Sequence, residues 1–133
     1  MSDLDHAREL VEMARGDLNA LKGMLQLDGA QGKAYFSDEV FGFHAQQAAE
    51  KCLKAAIARL GGSYPQSHDL MSLVDRLHDL GQDVSDFSNI IDLNPFAIQY
   101  RYESLDSDDE ELDRHDLLNE IQILFDRIES MLQ

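Results

Sequence analysis

Phe41 to Leu60 reads FGFHAQQAAEKCLKAAIARL, and one face of this run decides the fold. Phe41, Ala45, Ala48, Ala49, Cys52, Leu53, Ala56, Ile57 and Leu60 recur at helical spacing, the pattern of an amphipathic helix. Ser37 or Asp38 supplies an oxygen for the orphan amide protons at its start, and Gly61-Gly62 marks its end. An apolar face built largely of alanine lets a neighbouring helix approach closely, so this helix is expected at the centre of a bundle. Its other side carries His44, Gln47, Lys51 and Lys54, separated by three, four and three positions.

Working outward, Leu4, Ala7, Val11, Ala14, Leu18, Leu21 and Leu25 alternate steps of three and four. They predict a first helix that begins near Ser2 or Asp3 and stops before the Gly29–Gly32 stretch. After the central helix, Leu70, Leu73, Val74, Leu77 and Leu80 predict a helix from about Ser67 to Leu80. A further helical piece is expected from Ser85, containing Phe87, Ile90, Ile91 and Leu93, with a break at Asn94-Pro95 and a short continuation from Phe96 to Tyr102. The last helix is expected from about Asp109 to Leu132, with Ser107 and Glu110 in capping-box spacing. No segment alternates with a period of two, so no strand is assigned. The expected fold class is all-α, an up-and-down bundle of about five helices forming one domain over residues 1–133.

A chain of 133 residues is long enough to bury roughly two-thirds of its unfolded surface in one core and too short for two. Apolar residues make up 44% and charged residues 28%, the balance of a folded domain. No run approaches the roughly 20 apolar residues of a membrane span, and no basic segment followed by an apolar core opens the sequence. No membrane association and a cytoplasmic location are therefore expected, with which the single cysteine, Cys52, agrees. The formal charge of −15 argues against broad attachment to DNA or RNA, which depends on cations displacing counterions from phosphate. It leaves a local cationic site open, because seven of the eleven residues from Glu103 to Asp113 are Asp or Glu and carry much of the excess.

Two readings stand for each polar candidate. The stripe His44, Gln47, Lys51 and Lys54 reads as a groove for phosphate, with the lysines as point charges and His44 or Gln47 orienting a ribose or base. The plainer reading is a solvated helix side with Glu50 and Lys54 in a surface pair worth about 0.3–0.5 kcal/mol. His68, at the expected start of a helix, is a phosphate ligand or acid–base group, or else a structural histidine of the turn. Arg101-Tyr102 either grips phosphate and covers a base, or anchors its segment through Asp92 or Asp106. Gln46 is expected to be a hydrogen-bonding core residue, Cys52 a small buried one, and His6, His78 and His115 surface residues. No metal-ligand spacing, nucleophile elbow or phosphate-cradling glycine loop is found, so no metal and no cofactor are expected.

FHAQQAAEKCLKAAI, the Gly-Gly turn, the following proline, His68-Asp69-Leu70 and LNPFAIQYRY together resemble the HEPN domain family over most of residues 36–132. The resemblance implies an all-helical bundle, commonly a homodimer and often encoded beside a minimal nucleotidyltransferase. Some members are nucleotide-binding accessory domains; others are metal-independent ribonucleases of toxin–antitoxin and defence systems. The ribonucleases carry an arginine followed by four to six residues and a histidine, and no arginine here has a histidine at that distance. Arg114 and His115 are adjacent, Arg76 and His78 lie two apart, and Arg59 precedes His68 by nine. Glu103 also stands where the family usually has proline after Arg-Tyr.

The expected function is thus that of an accessory protein binding a nucleotide or RNA phosphate. His44, Gln47, Lys51, Lys54, His68, Arg101 and Tyr102 are the ligand-binding residues, and none is assigned a catalytic role. The alternatives are a ribonuclease with an atypical site assembled across helices or across a dimer, and a purely structural interaction partner.

Overall fold

The computed structural model describes residues 3–31, 36–64, 66, 68–87, 90 and 113–133, with side chains of 28–31 left aside. Four α-helices lie among them: α1 (Asp3–Gln31), α2 (Asp38–Arg59), α3 (Leu70–Asp79) and α4 (Arg114–Met131), with a 3-10 turn at Ser85–Phe87. The fold is all-helical, as expected, and α2 is its centre, packed against α1, α3 and α4. Among the described residues no strand occurs, and no helix is long and apolar enough to cross a membrane.

The alanine face of α2 explains that centrality. Ala45, Ala48, Ala49, Ala55, Ala56 and Ala58 are all buried, with Phe41, Cys52, Leu53 and Ile57 filling the space between. Ala7, Val11, Ala14, Leu18 and Leu21 of the α1 seam are buried against this face, and Leu4 and Leu25 pack at its margin. Leu70, Leu73, Val74 and Leu77 of α3 and Leu117, Ile121, Leu124, Phe125 and Ile128 of α4 complete the core. Arg114, at the start of α4, donates to Asp38 at 3.0 Å and to the Phe36 carbonyl at 2.6 Å, while Arg59 donates to the Met131 carbonyl at 3.1 Å. These ties join start to start and end to end, so α2 and α4 run in the same direction.

Helix ends follow local chemistry, with three departures from the sequence reading. Ser37 caps α2, its Oγ accepting from the Val40 amide, as expected. α3 begins at Leu70 rather than Ser67, because Asp69 is its cap and accepts from the Met71 amide at 3.0 Å. His68 therefore precedes the helix instead of opening it. α4 begins at Arg114 rather than Asp109, capped by Asp113, whose carboxylate accepts from the Asp116 amide. The Ser107–Glu110 spacing and the expected helical turns around Pro95 lie outside the described residues. Finally, α1 continues through Gly29 to Gln31. One helical glycine costs only about 1 kcal/mol relative to alanine, and α1 already tolerates Gly16 and Gly23 within its span.

α2 and α3 end alike. Gly61 and Gly81 adopt φ of +79° and +91°, a conformation open to glycine. In each case the next residue donates back to the last full turn: Gly62 to the Ile57 carbonyl at 3.0 Å, and Gln82 to the Leu77 carbonyl at 3.1 Å. Gly62 is also closely approached, since a Cβ there would sit 2.9 Å from Leu80 Cδ1 and that side chain would have to shift. From Gly62 the chain returns along α2, bringing His68 back to the level of Gln46 and Glu50. This return builds the site.

Candidate functional site

The polar edge of α2 holds two matching clusters, each a carboxylate shared by one lysine and the Nδ1 of one histidine. In the first, Asp17 of α1 accepts from Lys51 Nζ at 2.7 Å and lies 3.1 Å from His44 Nδ1. In the second, Glu50 accepts from Lys54 Nζ at 3.1 Å and lies 2.9 Å from His68 Nδ1. Helical spacing aligns 44 with 51, and 46 with 50 and 54, along neighbouring rows of α2. α1 and the return segment supply the remaining partners.

Gln46 ties the second cluster together. It is fully buried, donates through Nε2 to Glu50 at 3.2 Å and to the His68 carbonyl at 3.1 Å, and accepts at Oε1 from Gln47 Nε2 at 2.7 Å. Every hydrogen-bonding direction of its amide but one lone pair is thereby used, as burial demands. The expectation of a hydrogen-bonding core glutamine is met.

The pair Glu50–Lys54 is not the solvated surface pair that the plainer reading described. Glu50's side chain is 5% exposed and that of Lys54 14%, because Gln46 and the return segment cover the carboxylate. Charges removed from water this far are held by specific hydrogen bonds, and breaking one partner costs far more than at a surface. The Lys54 ammonium also lies 5.3 Å from the centroid of the Tyr64 ring, a favourable cation–π arrangement. Tyr64 stacks on His6, with its hydroxyl 2.6 Å from His6 Nε2. His6 was expected at the surface and is instead half-buried against Tyr64, since the antiparallel packing of α1 on α2 brings the first turn of one beside the end of the other. His78 and His115 are exposed, as expected.

Of the seven sequence candidates, His44 and Lys51 fall into the first cluster and Gln47, Lys54 and His68 into the second. Arg101 and Tyr102 lie outside the described residues. The sequence reading did not include Asp17, gave Glu50 and His6 only surface roles, and assigned none to Tyr64. Asp17 had a usable signal: it is an acidic residue beside the apolar seam of α1, where a cation from the facing helix is the natural partner. Tyr64 had none at the level of spacing.

The two clusters sum to zero charge while their histidines are neutral, because Asp17 and Glu50 offset Lys51 and Lys54. In a chain of net charge −15, a neutral patch is a place of relatively high potential. Each ammonium has three donors, and its bond to the carboxylate occupies one. Cys52, on the buried side of the same helix, is chemically quiet: burial, with the Asp17 charge second, pushes its thiol up to about 12. Among the described residues, no three His, Cys, Asp or Glu side chains are gathered closely enough to hold one metal ion.

Comparison with known families matches the HEPN domain over residues 7–131. Searches of curated proteins and of solved structures return no significant match. With nearly the whole length matched to that family and an all-helical bundle to accompany it, the chain belongs to the HEPN domain family.

Proposed function

We propose that this HEPN-domain protein is an accessory chain that binds a nucleotide or an RNA phosphate along the polar edge of α2, acting as a homodimer beside a minimal nucleotidyltransferase in the cytoplasm. The observation that supports the reading best is the pairing of Lys51 and Lys54, one turn apart on α2, with carboxylates that fix each ammonium yet leave it further donors. Held in place, such groups lose little entropy on meeting a phosphate. Lys51 and Lys54 hold the phosphate, with Arg101 as a further cation. Gln47, His44, His68 and Tyr102 orient the sugar and base.

Titration calorimetry with AMP, ATP and a short single-stranded RNA tests this. Binding weakened tenfold or more by Lys51→Ala and by Arg101→Ala, in variants that keep the native far-ultraviolet spectrum, is the expected result. No binding, or binding indifferent to both substitutions, overturns it. Incubation with RNA in chelator addresses the ribonuclease alternative: cleavage that disappears in His68→Ala would make the protein an enzyme, with the Glu50-supported imidazole as its base.

A further inference from the structure

Glu50 has a role that its surroundings define more sharply than its sequence position. Three nitrogens converge on one carboxylate that is almost wholly removed from solvent: Gln46 Nε2 and His68 Nδ1 on Oε1, and Lys54 Nζ on Oε2. A carboxylate accepts at both oxygens, and the Lys54 ammonium is its counter-charge. The orientation of the Gln46 amide is set by its own neighbours, since Oε1 takes the Gln47 amide while Nε2 serves Glu50 and the His68 carbonyl. Reversing it would aim an oxygen at two acceptors. The ring nitrogen of His68 that faces Glu50 therefore carries the proton.

The consequence concerns the opposite edge of the ring. In a neutral imidazole, a proton on Nδ1 leaves Nε2 with a lone pair and no hydrogen. The His68 side chain is 55% exposed, and among the described residues Nε2 meets no protein partner. Its backbone is clamped as well, through the carbonyl held by Gln46, so ring and main chain are fixed by two neighbouring residues of α2. An acceptor held rigid and open to solvent selects a donor. Ionised phosphate oxygens offer none, whereas a ribose hydroxyl does, and one ribonucleotide carries both groups.

We propose that Glu50 is a positioning residue that holds His68 as the Nδ1–H tautomer, so that Nε2 accepts a hydrogen bond from a sugar hydroxyl of a ribonucleotide. The ligand half of this rests on the nucleotide-binding reading above; the tautomer half does not. Lys54, the third member of the cluster, pairs with the other oxygen of Glu50 and so helps to fix the carboxylate in place.

Two measurements test it. Long-range ¹H–¹⁵N correlation spectra at pH 8, above the ordinary imidazole range, report directly which ring nitrogen of His68 is protonated. Nδ1–H in the native protein, giving way to a mixture in Glu50→Gln, is expected; an Nε2–H ring in the native protein overturns the proposal without needing any variant to fold. Calorimetry then compares AMP with its 2′,3′-dideoxy counterpart. The dideoxy nucleotide is expected to bind at least fivefold more weakly, with the gap falling below twofold in Glu50→Gln. Equal affinities in the native protein overturn the hydroxyl assignment while leaving phosphate binding intact. Failure of both nucleotides to bind overturns the functional reading and the ligand assignment together, and the spectra still decide the tautomer.

Discussion

Lys51–Asp17–His44 and Lys54–Glu50–His68 use the same three chemical groups and differ in what the carboxylate connects. Asp17 comes from α1, 34 positions from Lys51, so its cluster is a strut between two packed helices. Glu50 lies on α2 itself, four positions before Lys54, and reaches His68 in the segment that returns after Gly62. Asp17 is 13% exposed and takes two partners; Glu50 is 5% exposed and takes three, with Gln46 behind it. The histidine of the more buried carboxylate is nevertheless the more exposed of the two, at 55% against 33% for His44. The same three functional groups thus serve one cluster that holds helices together and another that presents a rigid imidazole to solvent. The depth of the shared carboxylate is what separates them.

The largest expected effect is on stability. Glu50→Ala leaves the Lys54 ammonium, the Gln46 amide and the His68 ring without their common acceptor, and is expected to cost about 3–5 kcal/mol, the usual penalty for breaking a buried pair. Asp17→Ala, at a better hydrated site, is expected to cost less than half of that. Urea denaturation of the two variants side by side checks the order, and equal losses would mean that the clusters are energetically the same.

Gln46→Leu comes next, at about 1–3 kcal/mol, because it strands the His68 carbonyl and one side of Glu50. Its damage should be confined to the second cluster. Amide exchange is expected to accelerate in residues 63–69 while α1 around Asp17 keeps its protection; acceleration in both places would join the clusters into one unit.

Cys52 sharpens the comparison from the buried side of α2. Its thiol is raised from an ordinary 9.0 to about 12, so between these values the unfolded chain loses a proton that the native protein keeps. The native state then binds more protons than the unfolded one, and stability falls as pH rises, by about 1.4 kcal/mol per unit above pH 9 from this group alone. Between pH 9 and 10, where the unfolded thiol is only partly ionised at the start, Cys52→Ala is expected to flatten the fall in stability by about 1 kcal/mol. An unchanged slope would place its origin elsewhere.

The smallest effect is a gain. Gly16 adjoins Asp17 in α1, its conformation is helical, and a Cβ there would meet nothing within 4 Å. Gly16→Ala is expected to stabilise by about 0.5–1 kcal/mol, through helix propensity and a less flexible unfolded chain. The gain should be additive with Glu50→Ala and, in thermal denaturation, independent of the second cluster.

Legibility differed from element to element for a physical reason. α2 was readable at both ends because its cap Ser37, its alanine face and Gly61 are local signals, and the seam of α1 was readable because burial on one face imposes a period near 3.6. The start of α3 was misread by three residues because Ser67 and Asp69 both suit a cap, and only backbone geometry chooses between them. The end of α1 was misread because a single glycine is a weak stop. At the site, the stripe on α2 and the Glu50–Lys54 pair were visible by spacing, whereas two other partners were not: Asp17 reaches the stripe across helices and His68 through a chain reversal.

By itself, the amino-acid sequence determined the helices, the central position of α2, the polar stripe along it and the i,i+4 pairing of Glu50 with Lys54, because periodicity and capping act over a few residues. Tertiary structure alone decided that Lys51 meets Asp17, that Glu50 is buried, and that His68 stands beside it. Those outcomes depend on how α1 lies on α2 and on how far the chain returns after Gly62. Electrostatic pairing is set by distances in space, which spacing along the chain does not carry.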